Sequence, residues 1–194
     1  MNKVVTKLLD EATDRENQGL LSEAEKIYRR ALGKSPGNTT VLHRLAMLKH
    51  RLGLPREAVG LLEGITRGGS ADARWVNDLG TVYPSIGNYS AAEACFRRAI
   101  ILSPGMHEAF SNLSNLLSLQ GLHEEAIQQA QRSITINQSF PQAHNNLGNA
   151  YFSQRRFELA LACYETAVKI APAYPDAITN LGKCLVQLNR RAEA

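Results

Sequence analysis

Long hydrophobic runs are missing from this sequence: no apolar stretch approaches the ~20 residues that a membrane helix needs. Cysteine is scarce as well. Cys95, Cys163 and Cys184 lie far apart without a CxxC pair, which excludes a disulfide frame and a thiolate zinc site and fits reduced thiols. There is no glycine-rich phosphate loop, no GxSxG and no HExxH. The His107-Glu108 and His123-Glu124 pairs lack the second histidine of a zinc helix, and both histidines are expected to be solvated near helix starts or turns. His43 and His50 share a helix face, but two imidazoles without a third ligand make a poor metal site. His144 falls at a packing position. No catalysis, metal or cofactor is therefore expected of this chain. The N-terminus, MNKVVTKLLDEATDRE, turns acidic at once and has neither the apolar core nor the cleavage site of a signal peptide, so the expected location is cytoplasmic. A net charge of +4 is spread along the chain and gives no concentrated patch for nucleic acid.

What the sequence does have is a period. Ala24, Ala58, Ala92, Ala126, Ala160 and Ala194 are separated by 34 residues each. The same step links Ala12, Ala46, Gly80, Ser114, Gly148 and Gly182, and also Leu45, Leu79, Leu113, Leu147 and Leu181. A fixed step of this size marks stacked supersecondary units. The units are 5–38, 39–72, 73–106, 107–140, 141–174 and a truncated 175–194, read as one array over 1–194. Within each, two apolar stripes run at helical spacing around a short break. Pro36, Pro104 and Pro172 close units where a helix cannot continue. Each unit is thus expected to be a helix, a tight turn and an antiparallel helix. The small residue at the eighth position is expected to meet the alanine at the twentieth.

Four places depart from this regularity. The first unit has Glu11 and Arg15 where others have leucine and tyrosine, as suits a repeat with one wet side. Gly60, Gly64, Gly68 and Gly69 replace better helix formers at up to ~1 kcal/mol each, so the softest segment is expected near 64–70. Pro84 removes a backbone donor and should bend the last turn of its helix. The sixth unit carries a first helix over 176–188 and stops one turn into a second. That reading makes the chain a fragment of a longer protein, or one whose end another molecule covers.

These residues resemble the tetratricopeptide repeat (TPR). Leu79-Gly80, Tyr83, Gly87, Ala92, Phe96, Ala99 and Pro104 carry the likeness in the third unit. Leu147-Gly148, Tyr151, Ala160, Tyr164, Ala167 and Pro172 carry it in the fifth. The resemblance implies an all-α fold, a right-handed TPR superhelix (an α-solenoid) of antiparallel helix pairs. First helices would line a concave groove and second helices would form the outer wall. It also implies a protein–protein interaction scaffold.

One helix face of each unit is polar in a regular way. The second, sixth, ninth and thirteenth positions lie together. The sixth and ninth are Asp78 and Thr81, Asn112 and Asn115, Asn146 and Asn149, then Asn180 and Lys183. An asparagine offers two donors and a carbonyl acceptor, enough to pair with the N–H and C=O of an extended peptide. The competing expectation is that the amides bridge adjacent helices. Asn145 lies beside the row and is less committed than its neighbours. Arg44 and Arg74 make the N-terminal part basic and predict a ligand with an acidic segment. The candidate peptide-binding residues are Arg44, Arg74, Asn77, Asp78, Thr81, Asn112, Asn115, Asn146, Asn149, Asn180 and Lys183. The clamp that holds acidic chaperone tails would want lysine and arginine where Asp176 and Asn180 stand, which argues against it. The row is similar to the Asn-lined TPR region of the O-linked N-acetylglucosamine transferases and SPINDLY-like proteins. Two alternatives stay open. The chain could be the substrate-docking region of a larger glycosyltransferase or sulfotransferase whose catalytic domain lies outside it. It could equally be a scaffold that self-associates through its C-terminal end.

Overall fold

The computed structural model describes residues 3–67 and 72–192. Among them are eleven α-helices and no strand. The pairs are α1 (Lys3–Asn17) with α2 (Leu21–Lys34) and α3 (Thr39–Arg51) with α4 (Pro55–Thr66), followed by α5 (Ala73–Val82) and α6 (Tyr89–Leu102). They continue with α7 (His107–Leu119) and α8 (His123–Ile136), α9 (Pro141–Ser153) and α10 (Phe157–Ile170), and then α11 (Pro175–Ala192). The chain divides into two compact units, Met1–Cys95 and Phe96–Ala194, with the boundary inside α6. Each unit is an all-α stack of antiparallel pairs, the local geometry of an α-solenoid.

The turn inside each pair needs one residue in the left-handed region. Gly53 supplies it between α3 and α4 with φ +76°, and the reversal is closed by Gly53 N–H to His50 O (3.0 Å) and Leu54 N–H to Lys49 O (2.9 Å). Between α9 and α10 the residue is Arg155, at φ +61°. A side chain there is strained, yet the same pair of hydrogen bonds forms, Arg155 N–H to Phe152 O and Arg156 N–H to Tyr151 O, both 2.9 Å. The Arg156 guanidinium also lies 4.6 Å from the centre of the Tyr151 ring. In α11 the corresponding position is Asn189 and no turn forms. The helix expected to end at 188 runs unbroken to Ala192. Pro84 has the expected effect: α5 stops at Val82 and a 3-10 turn, Tyr83–Ile86, follows. The soft segment expected near 64–70 lies partly outside the described residues, since 68–71 are not among them; residues 64–66 end α4.

In the first unit one apolar cluster joins Val5, Leu8, Leu9 and Ala12 of α1, Ala24, Ile27, Tyr28 and Ala31 of α2, and Val41, Leu45 and Leu48 of α3. Beside it sits a buried charge. Lys49 is 5% exposed, and its Nζ lies 2.8 Å from Glu25 Oε1 on α2 and 3.0 Å from Glu57 Oε2 on α4. One ammonium thus ties three helices. Its hydrogen bond holds the Glu25 carboxyl below its ordinary value, while the Glu25 and Glu57 carboxylates hold the Lys49 ammonium above its own against the opposing effect of burial.

In the second unit Phe157, Ala160 and Tyr164 of α10 pack with Cys184 of α11, flanked by Tyr151, Phe152, Leu161, Leu181 and Leu188. The eighth and twentieth positions meet as expected between α7 and α8, where Ser114 Oγ donates to Ala126 O at 2.8 Å. Between α9 and α10 an aromatic ring stands at the eighth position. Gly148 faces the Tyr164 ring, and a Cβ on it would lie 2.5 Å from Tyr164 Cε1. The glycine is needed because an aromatic ring fills the space where a side chain would stand. The cysteines are free; burial pushes the Cys163 thiol up to about 11, and Cys184 Sγ donates to Phe157 O at 3.2 Å.

Two predictions follow from this packing. Tyr164 is 2% exposed and cannot yield, so Gly148→Ala should destabilise by about 1–3 kcal/mol through overpacking. Gly182→Ala, where a Cβ meets nothing within 4 Å, should be neutral or up to ~1 kcal/mol stabilising. Urea midpoints of the two variants check this, and equal shifts would refute the ring contact. Glu25→Gln should cost about 1.5–3 kcal/mol near neutral pH by weakening the Lys49 bridge. A depressed carboxyl contributes fully above its unfolded value of 4.5 and loses that contribution as pH falls through its lower folded value. The gap between wild type and Glu25→Gln should therefore narrow as pH falls below 4.5, as followed by unfolding midpoints against pH.

Candidate functional site

Three successive first helices of the second unit, α7, α9 and α11, line a cleft of about 380 Å³. Ser111, Asn112 and Asn115 come from α7, Gln142, Asn145, Asn146 and Asn149 from α9, and Asp176, Thr179, Asn180 and Lys183 from α11. Phe140 and Tyr174, from the loops before α9 and α11, close one side. Next to it, Leu119 and Phe152 bring apolar surface to a smaller recess shared with Asn115, Asn149, Asn180 and Lys183. All six residues expected from this unit, Asn112, Asn115, Asn146, Asn149, Asn180 and Lys183, thus line one continuous polar surface.

The amides there are already working. Asn146 Nδ2 donates to Ser111 O and Ser111 Oγ, both at 3.0 Å. Asn180 Nδ2 donates to Asn145 Oδ1 and to Asn149 Oδ1, again at 3.0 Å. Asn149 Oδ1 also accepts from Tyr164 Oη at 2.9 Å. A pattern runs through these contacts. The fifth position of one first helix bonds to the sixth position of the next, 35 residues on, as in Ser111–Asn146 and Asn145–Asn180. The sixth-position NH2 groups therefore bridge helices. What Asn146 has left is its Oδ1. Asn115 and Lys183 are exposed and Asn112 is half-buried.

Asn145 is corrected by this geometry. It is 4% exposed and accepts the Asn180 bond, so it is the most buried of the three amides in its helix and not a spare one. The fifth position was missed because the face rule pointed to the sixth and ninth. A polar residue at the fifth, matched 35 residues later by another, was the available signal.

The first unit repeats the rung with different chemistry. His43 Nε2 and Asp78 Oδ2 are 2.7 Å apart and 35 residues apart, and the His43 ring stacks on Trp75 at 5.7 Å. Two more contacts start from the C-terminal end of α3: Arg51 Nη1 donates to Glu16 Oε2 of α1 at 2.6 Å, and His50 Nε2 lies 2.9 Å from Ser85 Oγ in the 3-10 turn. Thr81 Oγ1 donates to Asp78 O at 2.7 Å. Arg74 is exposed, but its guanidinium grips Asp72 in a fork, Nε to Oδ1 at 3.1 Å and Nη2 to Oδ2 at 2.7 Å. That fork holds the Asp72 carboxyl below its ordinary value. Arg44 is exposed. Asn77, expected in the groove, is buried at 5% exposure.

The histidines also have particular roles. His107 was expected to be solvated, yet its ring packs 4.5 Å from that of Phe140 and its Nε2 accepts from Asn137 Nδ2 at 3.0 Å. His123 keeps a buried Nδ1. His144 Nε2 donates to Gln138 O at 2.9 Å. Among the described residues no group of His, Cys, Asp or Glu could hold a metal ion, and no helix is long and apolar enough to cross a membrane.

Comparison with known proteins agrees with this architecture. Profiles described as tetratricopeptide repeat match residues 76–105 and 141–174, and one described as TPR repeat matches 115–154. Human tetratricopeptide repeat protein 7B is 34% identical over 87 residues, 45% of this chain but only 10% of that protein. The structure of PilW, a type IV pilus biogenesis factor, superposes with a TM-score of 0.86 at 17% identity, covering 97% of this chain and 88% of PilW. YrrB, a TPR protein with an unusual peptide-binding site, gives 0.65 at 22% identity, covering 89% of each chain. At such identities these structures share the fold and nothing narrower. The chain contains tetratricopeptide repeats, matched over residues 76–105 and 115–174.

Proposed function

We propose that this interaction scaffold binds an extended segment of a partner protein in the polar cleft of α7, α9 and α11. The observation that carries the reading is the lining itself: side chains from three successive helices converge on one surface. The donor halves of Asn146 and Asn180 are spent on neighbouring helices. Recognition falls to Asn146 Oδ1, which can accept a main-chain N–H, to the exposed amide of Asn115, and to Lys183, which suits a carbonyl or carboxylate. Contacts of this kind read main chain with little regard to sequence, while Leu119 and Phe152 add a place for one apolar side chain. YrrB, similar in fold, is a peptide binder, which supports the class of ligand. In the first unit, Asp72 offsets Arg74, so an acidic segment of a partner is assigned to Arg44 alone.

The test is a peptide array probed with the folded chain and four variants. Asn115→Ala and Lys183→Glu should each weaken bound peptides about 5- to 10-fold, the size of one lost polar contact, with unfolding midpoints unchanged. Asn180→Ala should instead lower the midpoint, by about 1–3 kcal/mol, because the buried Asn145 Oδ1 loses its donor. Arg44→Glu should flatten the salt dependence of acidic peptides only. Binding indifferent to both Asn115→Ala and Lys183→Glu would remove the cleft as the ligand site.

A further inference from the structure

The cleft of α7, α9 and α11 presents the same groups at a fixed interval. The sixth position gives Asn146 on α9 and Asn180 on α11, whose NH2 groups are spent on neighbouring helices, so each offers its Oδ1. The residue before each helix gives an aromatic ring, Phe140 before α9 and Tyr174 before α11, and both rings line the cleft. The ninth position gives the exposed Asn115 on α7 and, two repeats on, the exposed Lys183 on α11. Side chains bond α7 to α9 and α9 to α11 directly, so neighbouring axes lie ~8–10 Å apart. A ligand crossing these helices therefore meets one acceptor and one ring about every 9 Å.

We propose that the partner segment bound here is proline-rich and lies across the helices as a polyproline II helix, read by the three-residue period of its N–H groups. This rests on the cleft as the ligand site and narrows the ligand to one conformation. Three regular backbones can be set against the interval. A β-strand rises ~3.3 Å per residue and alternates faces, so one face recurs at ~6.6 or ~13 Å, and neither fits. An α-helix bonds its interior N–H groups to its own carbonyls and has none to give Asn146 or Asn180. Polyproline II rises ~3.1 Å with three residues per turn, so one face recurs every ~9.3 Å, and its N–H groups have no internal partner. Ligand residues three apart then donate their N–H groups to Asn146 Oδ1 and Asn180 Oδ1. Ligand carbonyls about six residues apart, the span of two repeats, meet Asn115 and Lys183. The ligand positions in between need no donor, so proline fits there. Its ring packs on Phe140 and Tyr174, and its fixed φ lowers the cost of ordering the segment.

Fluorescence anisotropy of labelled synthetic peptides with the folded chain tests this. Four Ala-Pro-Pro repeats place N–H groups three residues apart. Two Ala-Pro-Ala-Pro-Pro-Pro repeats have the same composition and backbone preference, but no two N–H groups stand three apart, so only one of Asn146 and Asn180 is paired. The first peptide should bind about 5- to 10-fold tighter, the size of one hydrogen bond. Four Gly-Ser-Ser repeats, which are flexible, should bind weaker than the first by at least that factor. Tyr174→Leu should weaken the first peptide about 5-fold, and Tyr174→Phe, which keeps the ring, should restore it. The comparison of the two isomers uses the unmodified chain and stands whether or not Tyr174→Leu folds. Equal affinity for the isomers overturns the proposal, as does a Gly-Ser-Ser chain bound as tightly as the Ala-Pro-Pro one. An Ala-Pro-Pro peptide that does not bind overturns it too. Where bound peptides still lose affinity to Asn115→Ala and Lys183→Glu, the cleft remains the ligand site and only the polyproline reading falls. Binding indifferent to both variants removes the cleft and this proposal with it.

Discussion

Three pairs of neighbouring first helices, α3–α5, α7–α9 and α9–α11, are held by a side-chain bond offset by one residue from the repeat. The fifth position of one helix reaches the sixth position of the next. It is a serine–amide or amide–amide bond across α7, α9 and α11, and an imidazole–carboxylate bond between α3 and α5. Helices stacked through apolar contacts alone could slide or rotate against each other at little cost, because such contacts have no direction. A hydrogen bond has one, and a half-buried amide that loses its partner forfeits more than the bond was worth. The rungs therefore fix the register in which the apolar residues interlock.

This has a consequence for recognition. A row of asparagines suggests a surface offering both donors and acceptors to a ligand. Once the NH2 groups of Asn146 and Asn180 and the carbonyl oxygens of Asn145 and Asn149 are committed within the protein, each amide keeps only one kind of group for a ligand: Asn146 and Asn180 present acceptors, with Lys183 as the contrasting cation. The residues that shape the cleft and those that touch a ligand are then different sets, although they alternate along the same helices.

The fold was legible in the sequence because the signal is periodic and local: alanines 34 residues apart, a small residue in phase, a turn glycine in four of the pairs. The second unit's share of the site was legible for the same reason. What escaped depends on partners outside one repeat. Asn145 reads as a spare amide until its neighbour 35 residues on is placed beside it. Gly148 reads as a spacer against Ala160, and only the packing shows the Tyr164 ring in its notch. Arg155 breaks the turn rule, and the cation above Tyr151 next to it is a compensation no spacing reveals. Arg74 reads as a free positive charge because Asp72, two residues away, belongs to the preceding repeat and was not read with it.

One oxygen atom joins two kinds of contact that the repeat design keeps separate. Asn149 Oδ1 accepts from Tyr164 of its own helix pair and from Asn180 of the next. In an array whose energy is a sum of repeat and neighbour terms, repeats can melt one after another. Here the same atom belongs to both terms, so opening the α9–α10 pair also loosens its neighbour. The cooperative block in this region is therefore larger than a repeat. Its boundary is drawn by polar wiring between helices, not by the 34-residue period of the sequence.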